Sequence, residues 1–565
     1  MLKSKKVAAL AFAVALPIAM LVPTSAHAAN IYCEDPATGK TSTAAVTLYA
    51  PKDLPGVPAD PYGGTVTPAF TTTDKMENLD VSPSLGTVDT PITITGKGLA
   101  PNTDATLTWS TAKGAWITEV QPNTVNYCGF QYDKYTVNMA TVKTDANGAF
   151  SYKTIVPKDW GGAHDIYAVA GGKAIAHGGF QTSPKLTVSP KSGPIGTPVK
   201  IKYEGMGPTL YTGGISVLWD NKFVGEGQAV WTRGTGEFTI YAAGPVGKKT
   251  VQVEDGIGVQ YMNIKQSPVP YAKGGKTVFT VTADNGAKKA FINWPAKVTP
   301  TVAQRTMAVS SNVDANSKAV MTVKDTSGAV GDKSAFSVTD IADGTYDVVF
   351  ATVQGSRVNC PTQSCWVYAP STIGKVTASG GKITNEPFTY PDDLGGFHVL
   401  QLKQGNTVYA QASIYIKASI FEFKDKKGKV LSYGVAKADP SPLPESRDGA
   451  GVPTLKFKQG EEFTISLKGV GWTQMDNTMA VTYDNAHVGY GCGFNSNGWT
   501  VIHMYATGEP GTHIIDLHPQ LYAYQPSFAN TQYSMLPLLT NYNDDPALAL
   551  GYQLPSIHFE ITVTK

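Results

Sequence analysis

A short motif, Gly-x-(His/Tyr/Lys)-x-(Ile/Leu/Val), returns five times along the chain, and each copy reads as a turn that opens a β-strand. The copies are Gly162-Ala-His164-Asp-Ile166, Gly247-Lys-Lys249-Thr-Val251, Gly344-Thr-Tyr346-Asp-Val348, Gly396-Phe-His398-Val-Leu400 and Gly511-Thr-His513-Ile-Ile515. Most follow a second strand led by an aromatic residue: Phe150, Phe238, Phe336, Phe388 or Trp499. Two such strands make a hairpin, and a hairpin alone cannot bury its apolar face. Recurrence at roughly domain spacing therefore implies tandem β modules.

The chain of 565 residues is too long for one sandwich core, which requires several domains. Its 57 Gly, 37 Pro and 27 Tyr, with no clear helical period, are the composition of an all-β protein. Lys3, Lys5 and Lys6, an apolar run from Val7 to Val22 and the box Ala26-His27-Ala28 read as a secretion signal over residues 1–28. Without its three lysines the balance is 43 basic against 44 acidic residues, so no basic face is expected and nucleic acid is an unsuitable partner. Nothing after the leader reads as a membrane insertion, which makes the expected location secreted, extracellular or cell-surface.

Residues 29–78, rich in Pro, Thr and Ala, read as an extended arm. Modules are then expected over 79–184, 185–266, 267–368 and 420–565, with a short or merged β module over 369–419. The second and last modules align without a gap: Ile215, Val217, Trp219, Asp220, Asn221, Val224 and Gly225 match Met479, Val481, Tyr483, Asp484, Asn485, Val488 and Gly489. Alternating apolar positions place one strand face on a core, and Asp-Asn suits the tight turn between strands. A second match joins Cys128-Gly-Phe130 in the first module to Cys492-Gly-Phe494 in the last.

The openings Ser82-Pro83-Ser84-Leu85-Gly86 and Ser189-Pro190-Lys191-Ser192-Gly193 carry a resemblance, together with the stretch Asp145-Ala-Asn-Gly148-Ala-Phe150 and the Gly162-Ala-His164 ending. They are similar to the IPT/TIG modules, immunoglobulin-like domains found in tandem on prokaryotic cell-surface proteins. The resemblance implies β-sandwiches and a surface, adhesive or assembly role. Fold alone does not specify which.

Candidate chemistry is sparse. His164, His398 and His513 form a series, but the same motif position holds Tyr346 and Lys249, so a ligand or base role is not expected there. The expected role is structural, with the ring covering the core and its polar edge reaching water. On this reading a tyrosine substitution is tolerated. Ala272-Lys-Gly274-Gly275-Lys276-Thr277 ends like a phosphate loop, yet Pro270 holds the position of the first glycine and a β run follows instead of a helix. The acidic pairs Asp392-Asp393 and Asp544-Asp545 are calcium candidates if a loop lets both carboxylates converge. No other cofactor is expected. No Asn-x-Ser/Thr sequon occurs.

Five cysteines in an exported chain leave one unpaired within the molecule. Cys360 and Cys365 flank a short polar loop and are expected to pair. Cys33 with Cys128 is the shorter remaining closure, and Cys33 with Cys492 of a neighbouring molecule is the alternative, Cys492 being the candidate for an intermolecular bond. The first expected function is a non-enzymatic building block of the prokaryotic envelope that self-assembles into a surface layer, sheath or filament. A monomeric adhesin that binds cell-wall or surface polysaccharide is the second. A secreted enzyme with an unrecognised C-terminal site is the third.

Overall fold

The computed structural model describes residues 71–121, 124–207, 215–255, 275–287, 291–293, 313–356, 365–368, 370–425, 427, 430–431, 455–471, 478–493, 496–521, 536–539 and 556–565. Among them there are strands and turns and no α-helix. The alternation in the sequence explains why. Pro91–Gly96 turns Ile92 and Ile94 inward between threonines, and Glu462–Lys468 does the same with Phe463, Ile465 and Leu467.

Four immunoglobulin-like β-sandwiches result, each with its own apolar core. In the first, Thr71–Ser82, Pro91–Gly96 and Phe150–Ile155 form one face. Thr124–Lys143, Asp104–Gln121, Gly162–Ala170 and Lys173–Thr182 form the other. The second sets Lys185–Ser189, Pro198–Glu204 and Gly236–Tyr241 against Lys222–Gly227, Ile215–Trp219, Gly247–Asp255 and Gly275–Val281. The third and fourth repeat this plan. In every module a short strand also runs parallel to the last one, as Leu85–Gly86 does beside Gln181 and Thr182.

Three sequence assignments change. Residues 71–78, read as part of the arm, pair with Lys173–Thr182 in parallel and so belong to the first module. That pairing is made by backbone groups and needs no apolar period. Gly275–Val281, placed in the third module, pairs antiparallel with Gly247–Asp255, and its Phe279 and Val281 lie in the second core. The division at 368/369 also falls inside one core, since Val376, Leu400 and Ile416 pack with Met321, Phe336 and Phe350. The two motif copies 52 residues apart are neighbours in one sheet, where Asp347–Ala351 pairs with Val399–Lys403.

The modules do not simply follow one another. Phe291–Asn293, just beyond the second module, pairs antiparallel with Ser556–His558 in the last strand of the fourth. Ile514 of the fourth module lies in the second core, and Val230 of the second lies in the fourth. The signal segment 1–28, residues 29–70, Cys33, Cys360, Asp544 and Asp545 fall outside the described residues.

Phe279 tests the reassigned strand. It is fully buried, with its ring centroid 5.7 Å from that of Trp219. Phe279→Ala should destabilise the second module by about 3–5 kcal/mol and lower its calorimetric transition. An unchanged transition would return the strand to its neighbour.

Candidate functional site

The residues that distinguish this chain from a string of independent sandwiches lie where the modules meet. Asp159-Trp160-Gly161-Gly162-Ala163-His164 closes the first module onto the second, and Asp393-Leu394-Gly395-Gly396-Phe397-His398 closes the third onto the fourth. Gly161 N–H donates to Met206 O at 3.1 Å, and Gly395 N–H donates to Val470 O at 2.9 Å. Met206 and Val470 each sit between two glycines, in Gly205-Met206-Gly207 and Gly469-Val470-Gly471. Met206 N–H in turn donates to Gly234 O, and Val470 N–H to Gly498 O. Gly234 and Gly498 both have positive φ, 81° and 86°, and each follows a left-handed residue, Arg233 or Asn497.

The acidic residue and the histidine brace each closing turn. Asp159 Oδ1 accepts from Trp160 N–H at 2.9 Å, and Asp393 Oδ1 accepts from Leu394 N–H at 2.7 Å. The rings of His164 and His398 stack on Trp109 and Phe350, with centroids 4.4 and 4.6 Å apart. His164 places its ring nitrogens 2.9 Å from both Ser110 O and Trp160 O. His398 is held chiefly through Nε2, 2.7 Å from Leu394 O. Burial pushes the His398 imidazole down, against Asp393 and the carbonyls, and burial pushes the Asp393 carboxyl up.

This corrects the expected role of the histidines. His164 and His398 are 4% and 0% exposed, so neither reaches water. Tyr346 is not their equivalent, because Gly344–Ala351 is a different strand of the sandwich, lying beside Gly396–Gln404. The remaining pair is a second type of brace. In the second module Lys249 Nζ lies 3.2 Å from Asp220 Oδ2, and in the fourth His513 Nδ1 donates to Asp484 Oδ2 at 2.6 Å. Both aspartates stand in Asp-Asn turns with two positive φ values, the tight hairpin geometry. Burial opposes charge on His513, but Asp484 outweighs it and the imidazole is held above its ordinary value.

A third contact joins the second module to the fourth. Thr512 donates both N–H and Oγ1–H to Asp284, at 2.8 and 2.6 Å, and these bonds hold the carboxyl below its usual range against burial. Asn485 Nδ2 donates to Tyr241 O at 2.7 Å. The Tyr241 ring lies over His558, with centroids 3.8 Å apart. His558 Nδ1 donates to Asp516 Oδ1 at 2.5 Å, and Nε2 lies 3.4 Å from Glu560 Oε1. Burial would push this imidazole down, but the two carboxylates overcome it and raise it to about 9. The neighbouring His518 is pushed down by burial.

Of the calcium candidates, the described pair Asp392 and Asp393 diverges. Asp392 pairs with Lys468 Nζ at 2.5 Å, while Asp393 turns inward to its own backbone. Among the described residues no group of three His, Cys, Asp or Glu is placed to hold a metal ion. A cleft between the third and fourth modules, lined by Gly396, Tyr415, Gly469, Gly471 and Met479, holds about 10 Å³, room for about one water. The backbone places Cys128, Cys365 and Cys492 on Thr124–Lys143, Cys365–Tyr368 and Ala486–Cys492. The repeated Asp-x-Gly-Gly-x-His was legible in the sequence, but the shorter motif hid its first half.

No protein-family model matches the chain, and no curated protein matches it. Among solved structures, Salmonella alpha-2-macroglobulin is similar over 87% of this chain and 31% of its own, at 8% identity and a TM-score of 0.15. This chain thus spans about a third of that protein's length. The Escherichia coli adhesin FdeC is similar over 62% of this chain and 99% of its own, at 10% identity and a TM-score of 0.14. The outer capsid protein Hoc of bacteriophage RB49, in its three N-terminal domains, matches 61% of this chain at 12% identity and a TM-score of 0.12. Scores this low carry no argument about function.

Two predictions follow from the braces. His164→Tyr should destabilise the first module by about 2–4 kcal/mol, because the stacked slot and its two carbonyls have no room for a phenol. His513→Lys should cost under about 1 kcal/mol, since Lys249 fills the equivalent place. Chemical denaturation of both variants checks the contrast. For His558 the raised pKa means that its charged form contributes fully below about 6.5 and loses its contribution as pH rises through about 9. Protection from hydrogen exchange at 556–560 should therefore fall between these values. His558→Gln should remove most of that pH dependence.

Proposed function

We propose that this chain is a secreted, non-enzymatic scaffold of the prokaryotic cell exterior that self-associates into a layer, sheath or filament. The observation that carries the reading is the doubled junction. Main-chain hydrogen bonds between glycine-flanked segments fix how the first module meets the second and how the third meets the fourth. A protein whose purpose is to hold its modules at set angles supplies a repeating unit with a defined shape, which an assembly requires. The leader-like first 28 residues and the resemblance to surface-protein modules support export.

A second reading, an adhesin for surface polysaccharide, is favoured by one surface. Trp499, Val501, His503 and Tyr505 alternate along the outer face of the fourth module's smaller sheet. Glu462 and Thr464 pair opposite Tyr505 and His503 and supply polar groups. Exposed aromatics beside hydrogen-bonding side chains suit a sugar chain.

Electron microscopy of the purified mature chain and of the cells that secrete it separates the readings. Sheets, tubes or fibres are expected. Dispersed particles that give a glycan-array signal lost in Trp499→Ala with Tyr505→Ala would replace the scaffold by the adhesin.

A further inference from the structure

The larger sheet of the fourth module has an apolar inner face and a titratable outer one. Val481, Ile515, Leu517, Ile557, Phe559 and Ile561 enter its core. On the other side the register sets His487 opposite Thr482, Thr482 opposite Asp516 and Asp516 opposite His558, one row across four strands. His518 stands two residues along from Asp516, opposite Ala480, and Glu560 stands two residues along from His558. Side chains two apart in a strand share a face, so these groups all turn away from the core. An outward polar face is ordinarily wet, yet Thr482, Asp516, His518, His558 and Glu560 are buried.

The second module lies against this face. Its Tyr241 ring stacks over His558, and Phe223 meets His487 edge-on, with centroids 6.3 Å apart. A β-carbon on Gly196 would strike the Glu560 carboxylate. Next to His518, Pro519 O accepts from Leu538 N–H at 2.8 Å, while Leu539 N–H donates to Glu226 O of the second module. Of the charged groups on the strands packed here, Lys222 is exposed, Glu226 is buried and Glu237 is paired with Lys200. Tyr483 donates its hydroxyl to Thr507 O. Phe291–Asn293 and residues 537–539 carry no titratable side chain.

His558 already engages both carboxylates, Asp516 and Glu560. A proton on His518 therefore adds a second buried cation beside the first, with no carboxylate of its own. Burial pushes the His518 imidazole down; Asp516 pulls it up, and His558 and His487 push it down again. Nε2 of His487 is buried without a hydrogen-bond partner among the described residues, and burial pushes this imidazole down against the pull of the Gly489 backbone. The closed contact thus favours both rings neutral. A histidine whose folded pKa lies below its free value stabilises the contact fully above about 6.5 and loses that contribution as pH falls further. His558 stays charged through this window, and the bonds from Thr512 keep the Asp284 carboxyl ionised in it.

We propose that this row is an acid-sensitive latch: protonation of His518 and His487 loosens the second module from the outer face of the fourth, and neutral pH re-forms the contact. Loosening lets water and counterions reach both imidazoles, so that each binds its proton as a free histidine does. Return to neutral pH removes the two charges and restores the buried face. The latch works within one molecule and stands whether or not the chain assembles.

The test is amide hydrogen exchange of the full chain at about pH 7.5 and about pH 5, beside the double variant His487→Gln with His518→Gln. In the wild type, protection factors over 236–241, 478–493 and 511–518 should fall about tenfold or more in acid, reversibly, while those over 162–170 in the first module hold. The third module is no reference, since burial also holds His398 down. The double variant should keep its protection within about threefold between the two conditions. Unchanged wild-type protection overturns the latch, and so does an equal loss in wild type and variant, which would assign the acid response to other groups. Loss of the strand signal in circular dichroism along with protection means global unfolding and overturns it too. Deuterium exchange at the imidazole C2 of the wild type decides the matter should the variant fail to fold. His518 and His487 titrating below about 6.5, together with the loss of protection, are expected; titration of both at the free value overturns the proposal.

Discussion

The carbonyl oxygen of Gly205 lies 2.1 Å from where a β-carbon on Gly161 would stand, and that of Gly469 lies 1.8 Å from the same point on Gly395. Neither position admits any side chain, because the obstacle in each case is another backbone. Approach this close lets an amide of one module reach a carbonyl of the next, and the buried histidine, the acid and the stacked aromatic ring hold the turn that delivers it. Where a junction relies on side chains it can relax by changing rotamers. Two backbones in contact have no such freedom, so the close approach restricts the angle between the modules.

The two junctions share so many details that the architecture is a two-module unit present twice. Gly161 corresponds to Gly395, Met206 to Val470, Gly234 to Gly498 and Arg233 to Asn497, and the hydrogen bonds correspond with them. The braces divide accordingly. A histidine against backbone carbonyls stands in the first and third modules, and a cation against a turn aspartate stands in the second and fourth. Differences between the units lie on their surfaces. Residues 537–539 lie along the outer edge of the second module, while among the described residues no strand pairs with the equivalent edge of the fourth.

Much of the fold was legible because it rests on short-range pattern. Alternation in segments such as Pro91–Gly96 and the Asp-Asn turns at 220 and 484 specify strands and hairpins locally. The alignment of the second and fourth modules came from apolar positions that lie in the core of their own module, Val488 excepted. The errors arose where pairing is long-range. Gly275–Val281 follows its partner strand after a long intervening segment, and nothing in its own residues identifies the sheet it joins. Motif spacing groups Tyr346 with the histidines because it cannot separate two strands of one sandwich when both begin with Gly-x-aromatic. The candidate site was half visible. Gly-x-His was recognised, but the need for glycine at 161 and 395 comes from an approaching backbone about 40 to 80 residues further along the chain, and no local rule reports that.

The short strand Phe291–Asn293 also determines how the molecule would carry tension. A pull applied at its two ends passes through the first two modules and arrives at residue 291, which is paired with His558 a few residues from the C-terminus. The bonds of Asp284 to Thr512 and of Asn485 to Tyr241 tie the same two modules together. The load therefore crosses directly from the second module to the last strand of the fourth. The third module, and the more than two hundred residues between the two clamped ends, lie on a slack branch that bears force only after these clamps open. In mechanical terms the chain holds a reserve length in parallel with its working path.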